Sequence, residues 1–342
     1  MCLQINLKGL LLFSSMIMKK KKNLKLIFAL TFFTINFSQA QQIPQFVYGT
    51  VMPEFYNPAA IGITKSISVA AIGRSQWLNI TGHPNSQAIS FDSYFPSLNG
   101  GVGVLILNNI QGVQRNTNVM LGYSFETGKK NYRFGFGLRG GIIQSSVSGD
   151  KLISPEGDYS TIINHNDQHL PISLVTTTSP DFSAGIFFMN KFMNWGIASA
   201  HLLEPSLKFN KTSNDLSVDL NRIFSGTVSL KFNRKNALMI EPSAIVKYDI
   251  NELQTEAVVR FHYKNLGWIG GGYRGGVKNN SDAVVGLLGV NTSENFFVGY
   301  AYEYSLSGLS AANYGSHEII LKFTTNLTRP AKPEKIIFTP RF

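Results

Sequence analysis

Two-residue alternation, repeated along most of the chain, is the feature that most limits the fold. In 116–126, Thr117, Val119, Leu121, Tyr123 and Phe125 fall on one side of an extended strand. Asn116, Asn118, Met120, Gly122, Ser124 and Glu126 fall on the other. Tyr132, Phe134, Phe136 and Leu138 likewise oppose Arg133, Gly135, Gly137 and Arg139, and the same split runs through 252–264 and 295–304. A β-strand sends successive side chains to opposite faces, so these strands have one apolar, aromatic face and one polar or glycine face. A soluble sandwich or solenoid also alternates, but it would leave the aromatic faces in water, where patches of that size aggregate. A lipid-facing wall accounts for them. No segment after residue 40 has 18 continuous apolar residues, which excludes membrane helices. In lipid every backbone polar group needs an internal partner, so a closed all-β antiparallel transmembrane barrel remains.

The pattern predicts roughly fourteen strands, near 64–77, 85–95, 100–110, 114–126, 130–147, 181–190, 192–202, 222–233, 236–248, 252–264, 266–275, 281–290, 294–305 and 315–327. With a periplasmic N-terminus, the two longest connections, 148–180 and 203–221, fall on the outside, as bacterial barrels place them. Residues 41–63 carry Pro44, Pro53, Asn57-Pro58 and several aromatics without a strand period, and are expected to form a plug-like segment in or under the barrel 64–327. Residues 328–342, with three prolines, are expected to be a periplasmic tail.

Export is expected from the N-terminus. Lys19 to Lys22 and Lys25 precede an apolar run at 26–37, then Ser38-Gln39-Ala40, the pattern of a cleaved signal peptide with a mature start at Gln41. Residues 1–17 read as an upstream extension. Six of the 31 basic residues and none of the 20 acidic ones lie in 1–40, leaving a net charge of +5, so charge makes no case for nucleic acid. The single cysteine is Cys2, so the mature chain has no disulfide, thiolate metal site or lipoprotein anchor. Charged residues make up 15% of the chain, against about 25% in ordinary soluble proteins.

Chemical motifs give little. Gly135, Gly137, Gly140 and Gly270, Gly272, Gly275 both match G-x-G-x-x-G, but each set continues a strand, whereas a dinucleotide site needs a helix after it. His165 and His169 flank Asp167 in a loop broken by Pro155, Gly157 and Pro171, which argues against a metal site. No cofactor is expected, and nothing favours an enzyme. Glu252, Glu256, Arg260, His262 and Lys264 share one strand face and are candidate lumen residues, lining an aqueous path or gripping a segment inside, or neutralising one another. Lys129, Lys191, Arg234 and Lys235 fall in inside turns as a candidate periplasmic rim for an acidic partner, or as ordinary charged turns.

Scattered motifs in order along the mature chain carry a family resemblance. They begin with Pro44-Gln45-Phe46, Tyr56-Asn57-Pro58-Ala59, Arg74-Ser75-Gln76-Trp77 and Gly82-His83-Pro84, then Pro180-Asp181-Phe182 and Glu241-Pro242-Ser243. The clearest stretch is Gly299-Tyr300-Ala301-Tyr302-Glu303-Tyr304 followed by Gly315-Ser316-His317-Glu318. Together they resemble the PorP/SprF family of type IX secretion system outer-membrane proteins of Bacteroidota. The resemblance implies a barrel that works with the secretion machinery. Some members contact its periplasmic ring, and others serve one large surface adhesin, gliding-motility adhesins among them. A porin or hydrophobic-solute transporter, and a purely structural anchor, are the alternatives.

Overall fold

The computed structural model describes residues 44–129, 131–160, 163–167, 170–209, 216–234, 238–250, 252–276 and 281–327. The expected export signal and C-terminal tail, with His169 and Lys235, lie outside them. Fourteen strands among the described residues form one closed antiparallel barrel. They are β1 (Ser66–Ser75), β2 (Asn85–Phe95), β3 (Gly100–Gln111), β4 (Gln114–Lys129), β5 (Tyr132–Ser148), β6 (Leu174–Asn190) and β7 (Met193–Ala200). β8 is Ile223–Leu230, continued past Lys231 by Phe232–Arg234. The rest are β9 (Leu238–Tyr248), β10 (Leu253–Tyr263), β11 (Gly267–Gly276), β12 (Ser281–Asn291), β13 (Phe296–Ser305) and β14 (Ser316–Asn326). Each strand pairs with its neighbours in sequence, and β1 pairs with β14 from Ser66↔Asn326 to Ser75↔His317, closing the ring.

Side chains alternate as the sequence requires. Along β4, Leu121, Tyr123 and Phe125 stand exposed while Met120, Gly122 and Ser124 are buried. The exposed apolar row continues around the ring through Leu138, Ile186, Ile197, Phe261, Ile269 and Leu321, which forms the belt that a bilayer covers. No described helix is long and apolar enough to cross a membrane.

Two segments differ from the sequence expectation. β6 begins at Leu174, not 181, because Leu174-Val175-Thr176-Thr177-Thr178 has no apolar alternation yet is fully paired to β5. The 203–221 connection contains a short hairpin, Ser206–Lys208 with Ser217–Asp219. Its Leu207, with Phe209 and Leu220, packs on the inward-facing Ile143 and Val147 at the long-loop end of the barrel.

Candidate functional site: a filled lumen

Residues 44–65 run through the barrel interior. Three single-turn 3-10 helices, Val47–Thr50, Pro53–Phe55 and Pro58–Ala60, shape the segment. Prolines at the first position of the second and third turns preset their backbone, since a missing N–H costs nothing there. Phe46, Val47, Tyr48, Met52 and Phe55 form one apolar core with wall residues Ala70, Ile72, Leu105, Trp268, Val285 and Ile320. Full burial of each large side chain is worth about 1.5–3 kcal/mol.

The wall has two different halves. β3 to β7 offer glycine. A β-carbon on Gly101, Gly135, Gly137 or Gly185 would collide with residues 57–62, at the backbone of Ala59 and Ile61 or the amide of Asn57. Only a wall without side chains lets the segment's backbone lie this close. Asn57 then fastens it. Its amide donates to the Ile186 and Ile197 carbonyls at 2.9 and 3.3 Å, and its oxygen caps the last turn by accepting from Ala59 N–H at 2.9 Å. Pro58 follows, buried. Ser124 donates to the Ala59 carbonyl at 3.0 Å, Asp92 accepts from Gly62 N–H at 3.0 Å, and Arg139 donates to the Phe55 carbonyl at 3.1 Å.

The other half, β9 to β14 with β1, offers charge. Glu318, 1% exposed, accepts from Val47 N–H and Tyr48 N–H at 2.9 Å each. Arg74, its direct cross-strand partner, pairs with it at 3.3 Å and with Glu303 at 3.0 Å. Glu303 reaches Arg274 at 2.7 Å, and Arg274 reaches Glu256, again directly opposite, at 2.5 Å. A second cluster joins Glu241 to Arg260 at 3.0 Å and to His262 at 2.9 Å, and Arg260 donates to Thr50 Oγ at 2.5 Å. Tyr48 donates to the Leu288 carbonyl at 2.6 Å, and Lys247 lies 3.9 Å from the Tyr56 ring centre.

Of the five candidate lumen residues, Glu256 and Arg260 lie buried inside and His262 is partly buried beside Glu241. Glu252 sits before β10, partly buried, and burial raises its carboxyl pKa. Lys264 is exposed in the next turn at φ 49°, its ammonium 5.4 Å from the Tyr263 ring centre. Neutralisation runs across strands rather than along β10, through Glu241, Arg274 and Glu303, none of which the sequence reading assigned to the lumen. They lie on the polar face of their strands, but only register shows whom they meet.

Most of the other motif residues gather at the β1–β14 closure. Gln76 N–H donates to the Pro84 carbonyl at 2.9 Å, and Trp77, at φ 56°, donates its N–H to the Ser316 hydroxyl at 3.3 Å. Gly315, at φ 85°, accepts from Leu78 N–H at 3.0 Å, a turn that favours a residue without a β-carbon. His317 points outward, 2.7 Å from the Tyr300 hydroxyl and edge-on to Tyr302, and Tyr304 is exposed beside them. Asp181 forms a separate buried pair with His201 at 2.9 Å, next to exposed Pro180. Lys129 and Lys191 are exposed at the end that carries the short turns, and Arg234 ends β8 there. His165 is held by Tyr159 at 3.0 Å and the Pro171 carbonyl at 3.1 Å. Among the described residues no group of His, Cys, Asp and Glu is arranged to hold a metal.

No curated protein matches the chain. Among solved structures it is similar to the Ralstonia pickettii toluene transporter TbuX, at 9% identity over 82% of this chain and 93% of that one, with a TM-score of 0.48. It is also similar to the Pseudomonas putida toluene transporter TodX (8%, 84% and 95%, TM-score 0.46) and the Acinetobacter baumannii outer membrane protein Omp33 (9%, 76% and 98%, TM-score 0.42). A closed barrel with an apolar outer belt belongs in an outer membrane. The family model for the type IX secretion system membrane protein PorP/SprF matches residues 38–323, nearly all of the barrel and its lumen segment, and the chain belongs to that family.

Proposed function

We propose that this barrel supports the secretion or surface attachment of protein cargo, such as a large adhesin, by the type IX secretion system, and does not conduct solutes. One observation carries the reading beyond family membership: the lumen is occupied by the chain's own residues 44–63. Cavities beside that segment, one bounded by Gln45, Phe46, Lys247 and Glu256 and another by Gly49, Pro53, Phe187 and Ser229, measure about 10 Å³ each, room for one water. A filled barrel can still present loops and rims to proteins. Its partners in this reading are outer-membrane lipid, periplasmic ring proteins of the machinery and the client itself. In a gliding member of the Bacteroidota the client would be a motility adhesin. The rim of Lys129, Lys191, Arg234 and Lys235 is the surface we assign to an acidic periplasmic partner. No catalytic role is proposed.

The test is a clean deletion, with mass spectrometry of surface and culture-medium proteins against wild type. Loss of one large surface protein is expected of a dedicated partner, and loss of many cargo proteins of a shared component. Unchanged surface and medium proteins would contradict the proposal.

A further inference from the structure

A stretch of β6 rises out of the barrel with no described strand paired along one of its backbone edges. A tilted membrane strand needs about 9–11 residues. β1, β2 and β10 to β14 have 10 or 11, but β4 has 16 and β5 and β6 have 17. β5 and β6 are paired from Tyr132↔Asn190 at the short-turn end to Ser148↔Leu174, so their excess projects at the long-loop end. The next strand does not follow. β7 pairs with β6 only over Ala184–Met189, and His201, in the left-handed region at φ 54°, turns the chain away. The last bond across that side is Leu202 N–H to the Phe182 carbonyl at 3.0 Å.

Two bonds fix which groups face the vacancy. The N–H and C=O of one strand residue point to the same side, and the side alternates along the strand. The Ser173 carbonyl accepts from Gly149 N–H, toward β5, and the Phe182 carbonyl faces the β7 side. Odd positions therefore serve the β5 ladder. Leu174, Thr176 and Thr178 turn both their N–H and their C=O to the open edge, and Pro180 turns only its carbonyl. No described strand takes that edge, since the nearby hairpin pairs only with itself. Natural edges are protected by charge, proline or bulges. Between Leu174 and Ser179 there is none, only a β-branched run that favours strand structure.

We propose that this edge is a docking strand for an extended segment of a secreted polypeptide, which adds to the sheet in the place β7 vacates. The slot is about seven residues long. An added strand would have one row of side chains over exposed Thr176 and Thr178. The other row would lie beside Val175, at the border of the apolar cluster of Ile143, Val147 and Leu207. The fitting segment alternates apolar and polar residues. A second copy of the barrel is a poor occupant. Its own edge brings one apolar residue, Val175, to the inner row. Two copies in one membrane also run β6 in the same direction across it, so those strands cannot lie antiparallel.

The inference rests on the cargo reading above, and the test separates the two. Proline at 176 or 178 removes an N–H that the β5 ladder does not use, and an edge strand tolerates that. The double variant Thr176→Pro/Thr178→Pro is expected to assemble at wild-type outer-membrane level and to lose the same surface proteins as the deletion strain. Thr178→Pro alone, next to the existing Pro180, decides by the same readout if the double variant fails to assemble. Assembled variants that keep every surface protein lost from the deletion strain would overturn the docking edge and leave the cargo reading standing. A deletion strain that loses nothing would overturn both. Barrels carrying Thr178→Cys that cross-link to one another would place a second copy in the slot and overturn the proposal as well.

Discussion

Glu318 ties the charged wall to the lumen segment. It compensates Arg74 and also receives two backbone N–H groups from the lumen segment, so charge balance and segment anchoring depend on the same side chain. Replacing one partner of a buried pair leaves an uncompensated charge, at about 3–5 kcal/mol. Glu318→Gln is therefore expected to destabilise the barrel by about 3 kcal/mol, seen as a lower urea midpoint, and to expose residues 44–63 to protease. An unchanged midpoint with a protected segment would count against this role. Asn57→Ala removes a cap and two wall bonds and is expected to cost about 1–2 kcal/mol in the same assay while leaving strand content intact. Alternation placed Glu256 and Arg260 on a polar strand face from the sequence alone, whereas Arg74 and Glu318 entered only as motif residues. Alternation could not pair them, because shifting a strand by two residues keeps every face while changing every partner.

The lumen segment and the glycine wall form one element made of distant parts of the chain. The sequence shows glycines on polar strand faces, and room inside the barrel follows from that. The prolines and aromatics of 41–63 point to a plug-like segment, but which wall positions it meets does not follow, because Gly135 and Gly137 meet Ala59 only after the barrel closes. Gly137→Val puts a branched side chain where the Pro58–Ala59 backbone lies, with backbone rather than a flexible side chain in its way. The variant is expected to assemble as a barrel with 44–63 displaced, which biotinylation of a cysteine placed at Ala59 would report. A cysteine as protected as in the parent would show that the wall yields instead. β6 was misjudged at its start for a related reason. Apolar alternation marks strands that face lipid, whereas in Thr176-Thr177-Thr178 the exposed face is polar and Thr177 is half-buried, so no apolar period registers. The 206–219 hairpin was missed because two three-residue strands are too short for a period to register.

At the scale of the whole molecule, the barrel class and strand number could be read from the chain because the bilayer sets both strand length and the period of two. The closed state of the lumen could not, since it depends on a segment with no period packing against both halves of the wall. A barrel shut by its own residues 44–63 would work through its surfaces and not through a pore. Single-channel recording in planar bilayers tests this most directly, comparing the intact barrel with one lacking 44–63. The intact barrel is expected to be silent, with steady conductance once the segment is removed. Steady conductance from the intact barrel would contradict this and favour a solute porin.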